Sequence, residues 1–97
     1  MSVLIDFSIF PTDKGESVSP YVAKAVNIIK KSGLDYKLGP MSTSIEGGLE
    51  EIMTVINSCF EELKKDCDRI YMTIKADYRK DSFCRIEKKI KSVEDKL

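Results

Sequence analysis

The chemistry available to this 97-residue chain is limited by its lack of histidine. Without an imidazole base, the usual Ser–His and Cys–His arrangements for nucleophilic catalysis are excluded. The cysteines Cys59, Cys67 and Cys84 include no Cys-x-x-Cys pair, so we expect no zinc site. An acid–base pair of Asp6 and Glu46 stays open as an alternative, although no feature of the sequence indicates a bond for the pair to attack.

Two of the three cysteines are predicted to be core residues. Cys59 and Cys67 fall on the apolar stripe of one predicted helix, about 12 Å apart along its axis, which is beyond disulfide reach. Cys84, near the start of another predicted helix, is the one thiol expected to be reactive. An odd number of cysteines without an evident disulfide pair favours a reduced, cytoplasmic protein.

Polar side chains occupy alternate positions in the predicted strands, which places them on one face of a sheet. That face carries Asp6, Ser8, Ser44, Glu46, Tyr71, Thr73, Lys75 and Asp77, mixed with Leu4 and Phe10. Such a face offers hydroxyl and carboxylate groups to a ligand. The alternative is a solvent-facing or subunit-facing surface whose polar groups pair across strands, because antiparallel sheets commonly leave one face wet.

The strands that position these residues follow from alternating hydrophobicity and turn residues. Strands are predicted over 3–10, 36–38, 41–46 and 69–78, with a turn at Gly39-Pro40. A long helix over 49–67 follows Gly47-Gly48, because its apolar residues recur at helical spacing.

Two further helices are indicated by caps and apolar stripes. The first follows a cap at Ser17 or Ser19, has a broad apolar face and ends at Gly33. The last follows a cap at Asp81 or Ser82. Its narrow apolar stripe consists of Phe83, Ile86, Ile90, Val93 and Leu97.

The order strand, helix, strand, strand, helix, strand predicts an α+β fold of the ferredoxin-like plait type. In this fold, two helices cover one face of a four-stranded antiparallel sheet, and here a C-terminal helix is added. We expect residues 1–97 to form a single domain, because a chain of this length has no room for a second core.

Composition narrows the range of partners. Lys and Arg balance Asp and Glu at 16 each, so there is no basic excess for nucleic-acid binding. The apolar runs are too short for a membrane span, and we expect no membrane association. A modest core favours homo-oligomerisation.

Runs of residues across nearly the whole chain match one known pattern in the right order. They are residues 6–11, 17–23, 32–36, 39–47, 68–70, 77–81 and 89–94. The most specific is the hairpin run through Thr43, Glu46 and Gly47. In these runs the sequence resembles the thiamine-binding protein family, small cytoplasmic proteins with a ferredoxin-like fold. One departure is Ser42, where the family commonly has glycine.

The resemblance implies a non-catalytic protein that binds thiamine or its hydroxymethylpyrimidine portion. It also implies a homo-oligomer built by packing sheets together, with a tetramer as the first expectation. We expect no cofactor other than this ligand and no established catalysis. A structural or regulatory interaction module without a vitamin ligand is the alternative function.

Thiamine joins a flat aminopyrimidine to a cationic thiazolium, so its receptor needs an apolar slot, a few polar groups and negative charge. The candidate ligand-binding residues are Asp6, Ser8, Tyr36, Thr43, Ser44, Glu46, Tyr71 and Thr73. Tyr36 or Tyr71 is suited to stacking on a ring or facing the cation. Thr43 follows from the family motif, although strict alternation points it inward unless a bulge intervenes. Glu46 has a second possible role near the positive end of the second helix.

Overall fold

A four-stranded antiparallel sheet forms the centre of the fold. The computed structural model describes residues 2–97. The elements are β1 (Val3–Pro11), α1 (Ser19–Lys31), β2 (Asp35–Leu38), β3 (Thr43–Gly47), α2 (Leu49–Lys64), β4 (Ile70–Tyr78) and α3 (Arg85–Glu94). The strand order is β2-β3-β1-β4, and every neighbouring pair is antiparallel. This arrangement confirms the predicted ferredoxin-like plait with an additional C-terminal helix.

The core lies between the sheet and the helices α1 and α2. Alternate residues of β1 face it, as the period-two pattern predicts, because their burial removes apolar surface from water. The fully packed set is Ile5, Phe7, Ile9, Ala25, Ile29, Ile45, Ile52, Ile56, Cys59 and Leu63. Cys59 and Cys67 are both buried, which confirms their predicted place in the interior.

The other side of the sheet, which we call the outer face, carries the polar residues that the sequence places there. Asp6 pairs with Ser44 on one side and with Lys75 on the other. Ser8 pairs with Thr73 in the same register. Two of the predicted ligand-binding residues, Tyr36 and Thr43, lie instead on the helix side, because they pair with the inward-facing Ile45 and Phe7.

The ends of α1 and the β2–β3 turn depend on local backbone geometry. The predicted serine cap is wrong: Val18 is the N-cap, Ser19 and Pro20 are the first helical residues, and no side chain caps the helix. Gly33 ends the helix region with φ of +81°, as predicted. Gly39 closes the following turn by donating its amide to the Ser42 carbonyl at 2.8 Å.

The third helix begins later than the sequence indicates. The predicted caps at Asp81 and Ser82 are wrong, because α3 begins at Arg85 with Cys84 as its N-cap. Asp81 and Cys84 both adopt positive φ, of 59° and 55°, so the intervening segment cannot continue a right-handed helix. Phe83 therefore lies outside the helix.

Candidate functional site

Several polar side chains of the outer face have hydrogen-bond partners within the chain. The Ser8 and Thr73 hydroxyls form a hydrogen bond across β1 and β4. The Ser42 hydroxyl donates to the Asp6 carboxylate. These bonds use part of the hydrogen-bonding capacity of the outer face. The Ser8–Thr73 bond is the cross-strand pairing that the sequence left open as an alternative.

Glu46 serves the third helix rather than an open surface. Its Oε1 accepts hydrogen bonds from the backbone amides of Arg85 at 2.8 Å and Ile86 at 3.3 Å, and its Oε2 accepts one from the Ser2 hydroxyl at 2.7 Å. Burial alone would raise the pKa of this carboxyl, but these donors hold it below its ordinary value. Glu46 therefore caps α3, a role that its sequence position did not suggest.

Ion pairs made by Asp77 fix α3 to the end of β4. Arg85 donates to the Asp77 carbonyl at 2.8 Å and to its carboxylate, and Lys89 donates to the same carboxylate at 2.7 Å. The hydrogen bonds from Lys89 and Arg85 lower the pKa of Asp77. These contacts place α3 across one end of the outer face.

An aromatic pair marks the opposite end of the outer face. The Phe10 and Tyr71 rings lie 5.6 Å apart with an interplanar angle of 33°. Tyr71 is more than half exposed, so one side of the pair is open to a partner or a ligand.

A better enclosed site lies on the helix side, between the end of β1, the first half of α1 and the β2–β3 turn. We call this site the α1 cleft; its volume is about 190 Å³. Its lining consists of Phe7, Ser8, Ile9, Phe10, Val18, Val22, Ala25, Val26, Ile29, Leu38, Gly39, Pro40, Met41, Ser42 and Thr43. None of these residues carries a charge, so the cleft suits an uncharged, flat and largely apolar group.

Thr43 supplies a polar group to the α1 cleft. Only 5% of its surface is exposed, and within residues 2–97 its hydroxyl makes no hydrogen bond. Every side-chain nitrogen or oxygen that is shut off from solvent in the described chain has a partner. The Thr43 hydroxyl must therefore open onto the cleft, where it is available to a ligand.

A shallower groove adjoins the cleft along the exposed side of β2. We call it the β2 groove; its lining includes Tyr36, and it shares Val22, Val26 and Leu38 with the α1 cleft. Lys30 is the one charged residue among the described residues that line it. The two sites together form a mainly apolar surface that includes Tyr36 in the groove and Thr43 in the cleft.

The predicted site residues are divided between the two faces of the sheet. Asp6, Ser44, Glu46, Tyr71 and Thr73 belong to the outer face, whereas Tyr36 and Thr43 belong to the helix side. Ser8 contributes to the cleft wall although its hydroxyl bonds to Thr73 on the outer face.

The sequence interpretation missed the contribution of α1. The sequence does contain a signal, because the apolar face of this helix is broader than the part of it that packs into the core. Ala25 and Ile29 are its buried residues, whereas Val22 and Val26 are partly exposed and line the cleft.

Metal ligands, thiols and helix lengths each limit what the described chain offers. Within residues 2–97, no cluster of three or more Cys, Asp and Glu residues is placed to hold a metal ion. Burial raises the pKa of the Cys59 thiol to about 11, so it carries almost no thiolate at neutral pH. Every helix of the described residues falls short of the length and apolar character that a membrane span requires.

Comparisons with known proteins find relatives over the whole fold. The UPF0045 protein MJ1052 of Methanocaldococcus jannaschii is 38% identical over 91 residues, which cover 94% of this chain and 91% of the relative. Its crystal structure has a TM-score of 0.89 and covers 96% of both chains. A domain of unknown function from Bacillus cereus is 27% identical with a TM-score of 0.80, and covers 93% of this chain and 88% of its own.

Two further comparisons concern thiamine. The Thermotoga maritima protein TM0486, described as a candidate thiamine biosynthesis/salvage protein, has a TM-score of 0.83 and covers 95% of this chain and 99% of its own. At 24% identity it supports the fold alone. A family model described as thiamine-binding protein matches residues 5–94. The chain therefore belongs to the thiamine-binding protein family.

Proposed function

We propose that this protein binds thiamine or its hydroxymethylpyrimidine portion in the α1 cleft, as a homo-oligomer and without catalysis. The observation that carries the proposal is the unbonded Thr43 hydroxyl inside an uncharged cleft of about 190 Å³. Thr43 also belongs to the hairpin run that most resembles the family. Membership of a thiamine-binding family supports the choice of ligand.

The chemistry of the cleft favours the pyrimidine end of the ligand. An aminopyrimidine is flat and uncharged at neutral pH, and its ring edge carries nitrogen atoms that can bond to the Thr43 hydroxyl. Valine side chains of α1 and the Met41 side of the turn supply apolar walls. Burying the ring in this cleft therefore costs no unpaired charge.

The cationic thiazolium belongs outside the cleft. Because the cleft lining has no carboxylate, a permanent positive charge there would be desolvated without a partner. The β2 groove offers the face of Tyr36 to the thiazolium, but it also holds Lys30, a like charge. We therefore expect hydroxymethylpyrimidine to bind about as tightly as thiamine.

A matched pair of substitutions tests this placement against the outer face. Thr43→Val removes the hydroxyl in the cleft, and Thr73→Val makes the same change on the outer face. One neutral hydrogen bond contributes about 1 kcal/mol, or about a five-fold change in dissociation constant. Calorimetric titration should show this loss for Thr43→Val and no loss for Thr73→Val.

The reverse pattern, with Thr73→Val weakening binding and Thr43→Val leaving it unchanged, would move the ligand to the outer face.

The proposed lack of catalysis is tested by a separate experiment. Thiamine incubated with the protein should be recovered unchanged by chromatography, and the appearance of a product would make the protein an enzyme.

An interaction module without a vitamin ligand is the second candidate. It is supported by apolar side chains that the described chain leaves open to solvent. Among them are Phe83 just before α3 and Val93 within it, with 51% and 61% of their surfaces exposed. If none of the thiamine-like compounds binds at millimolar concentration, this function replaces the first.

A further inference from the structure

The β2 groove extends the α1 cleft along the strand β2. Leu38 lines both sites and pairs with Thr43 across the hairpin, and Tyr36 lies two residues before Leu38 on the same side of the strand. Because a strand rises about 3.4 Å per residue, Tyr36 is about 7 Å along β2 from Leu38. The groove has a volume of about 490 Å³, so it has room for a group attached to a ring in the cleft.

The helix α1 brings a positive charge to the same end of the groove as Tyr36. Val22, Val26 and Lys30 follow one another at intervals of four residues, which places them on one face of the helix. The two valines also line the cleft, and Lys30 lies about 6 Å beyond Val26 along the helix axis. Only residues 32–34 separate α1 from β2, so the last turn of the helix lies beside the first residues of the strand.

Three side chains with hydrogen-bond donors line the groove near this end: Asn27, Lys30 and Tyr36. Within residues 2–97, none of the three forms a hydrogen bond or an ion pair. Each can donate to an anionic oxygen. In the part of the chain that the structure describes, no aspartate or glutamate lines either the cleft or the groove. The combined site is therefore uncharged at one end and positive at the other.

The substituent on the methylene carbon of the pyrimidine determines which charge meets Lys30. This carbon carries a thiazolium cation in thiamine, a hydroxyl group in hydroxymethylpyrimidine and a phosphate group in the phosphate ester of hydroxymethylpyrimidine. A phosphate monoester has a charge of about −1.5 to −2 at neutral pH and accepts several hydrogen bonds. Of the three substituents, phosphate is the one that complements the positive end of the site.

We propose that the preferred ligand of this protein is a phosphate monoester of hydroxymethylpyrimidine. The ring occupies the α1 cleft beside Thr43, and the phosphate occupies the β2 groove, where it accepts hydrogen bonds from Lys30, Asn27 and Tyr36. The inference rests on the proposed function, because it requires the pyrimidine to bind in the cleft. It adds the charge that the ligand carries and the residues that recognise this charge.

Calorimetric titration with three compounds that share the pyrimidine ring tests this preference. Hydroxymethylpyrimidine and thiamine should bind with similar affinity. Hydroxymethylpyrimidine phosphate should bind at least about five-fold more tightly than either, which is the effect of one exposed ion pair. Added salt should reduce this difference and leave the affinity for hydroxymethylpyrimidine unchanged, because ions screen exposed charges.

Two charge reversals on neighbouring residues test the role of the groove. Lys30 and Lys31 are both exposed in the last turn of α1, but within the described chain Lys31 lines neither the cleft nor the groove. Lys30→Glu should make the phosphate ester bind more weakly than hydroxymethylpyrimidine and make thiamine bind more tightly. Lys31→Glu changes the net charge equally and should keep the wild-type order. Reversal of the order in both variants would overturn the assignment to the groove.

The outcomes separate this inference from the proposed function. If hydroxymethylpyrimidine binds and its phosphate ester binds no more tightly, the proposed function stands and the inference fails. If none of the three compounds binds, both fail. A preference for the ester that survives Lys30→Glu, with native circular dichroism, would overturn recognition of the phosphate by Lys30.

Inorganic phosphate alone is the final control. The proposal predicts that it binds far more weakly than the ester, because it lacks the ring that the cleft encloses. Binding of inorganic phosphate as tight as that of the ester would overturn the inference, since the groove would then recognise a free anion.

Discussion

Removal of the Glu46 side chain is expected to destabilise the protein without weakening ligand binding. Glu46→Ala deletes the acceptor for the Arg85 and Ile86 amides and for the Ser2 hydroxyl. Loss of a helix cap costs about 1–2 kcal/mol, and loss of a further hydrogen bond to a charged group costs about 1.5 kcal/mol. The free energy of unfolding should therefore fall by about 3 kcal/mol.

Glu46→Gln is the matched control. The amide oxygen of glutamine can still accept from the helix amides, so this variant loses the charge and keeps most of the geometry. A negative charge near a helix N-terminus contributes about 0.3–1 kcal/mol at exposed sites and up to about 2 kcal/mol in partly buried ones. We expect a loss of about 1 kcal/mol, well below that of Glu46→Ala.

Urea unfolding followed by circular dichroism measures both losses, and calorimetric titration measures ligand affinity on the same samples. Glu46 does not line the α1 cleft, so the dissociation constant should stay within about two-fold of the wild type. Unchanged stability together with a large loss of affinity would refute the capping role and return Glu46 to the ligand site.

Three further outcomes follow from the structure. The pKa of Glu46 is lowered in the folded state, so its charge contributes fully to the free energy of unfolding above the ordinary pKa of 4.5, and this contribution is lost as pH falls below that value. The difference in free energy of unfolding between wild type and Glu46→Gln should therefore close in acid. A thiol reagent should label only Cys84 in the folded chain and all three cysteines in denaturant, because Cys59 and Cys67 are buried. Val22→Phe should fill the α1 cleft and weaken ligand binding at least about ten-fold, whereas Val93→Phe on α3 should have no effect.

The sheet could be predicted from the sequence because alternation is a local property. Every second residue of a strand faces the same side, so the pattern of Ile5, Phe7 and Ile9 already separates the core from the outer face. The antiparallel pairing then brings Ser8 and Thr73 together, although 65 positions separate them in the chain. Gly33 and Gly39 are turn residues, and they indicate where α1 and β2 end.

The candidate site could not be predicted in the same way because it depends on tertiary packing. The α1 cleft exists because Val22 and Val26 project beyond the part of the core that the sheet fills. The role of Glu46 is equally non-local, since it caps a helix that begins 39 residues later. The broad apolar face of α1 is the one local signal for the cleft, and nothing near Glu46 in the sequence indicates its capping role.

The most direct test of the central claim is calorimetric titration of the purified protein with hydroxymethylpyrimidine and with thiamine. The uncharged α1 cleft predicts saturable binding of both compounds with similar affinity, because the pyrimidine ring carries the interaction. Saturable binding of thiamine with no binding of hydroxymethylpyrimidine would contradict the account, since it would require a site built around the thiazolium cation.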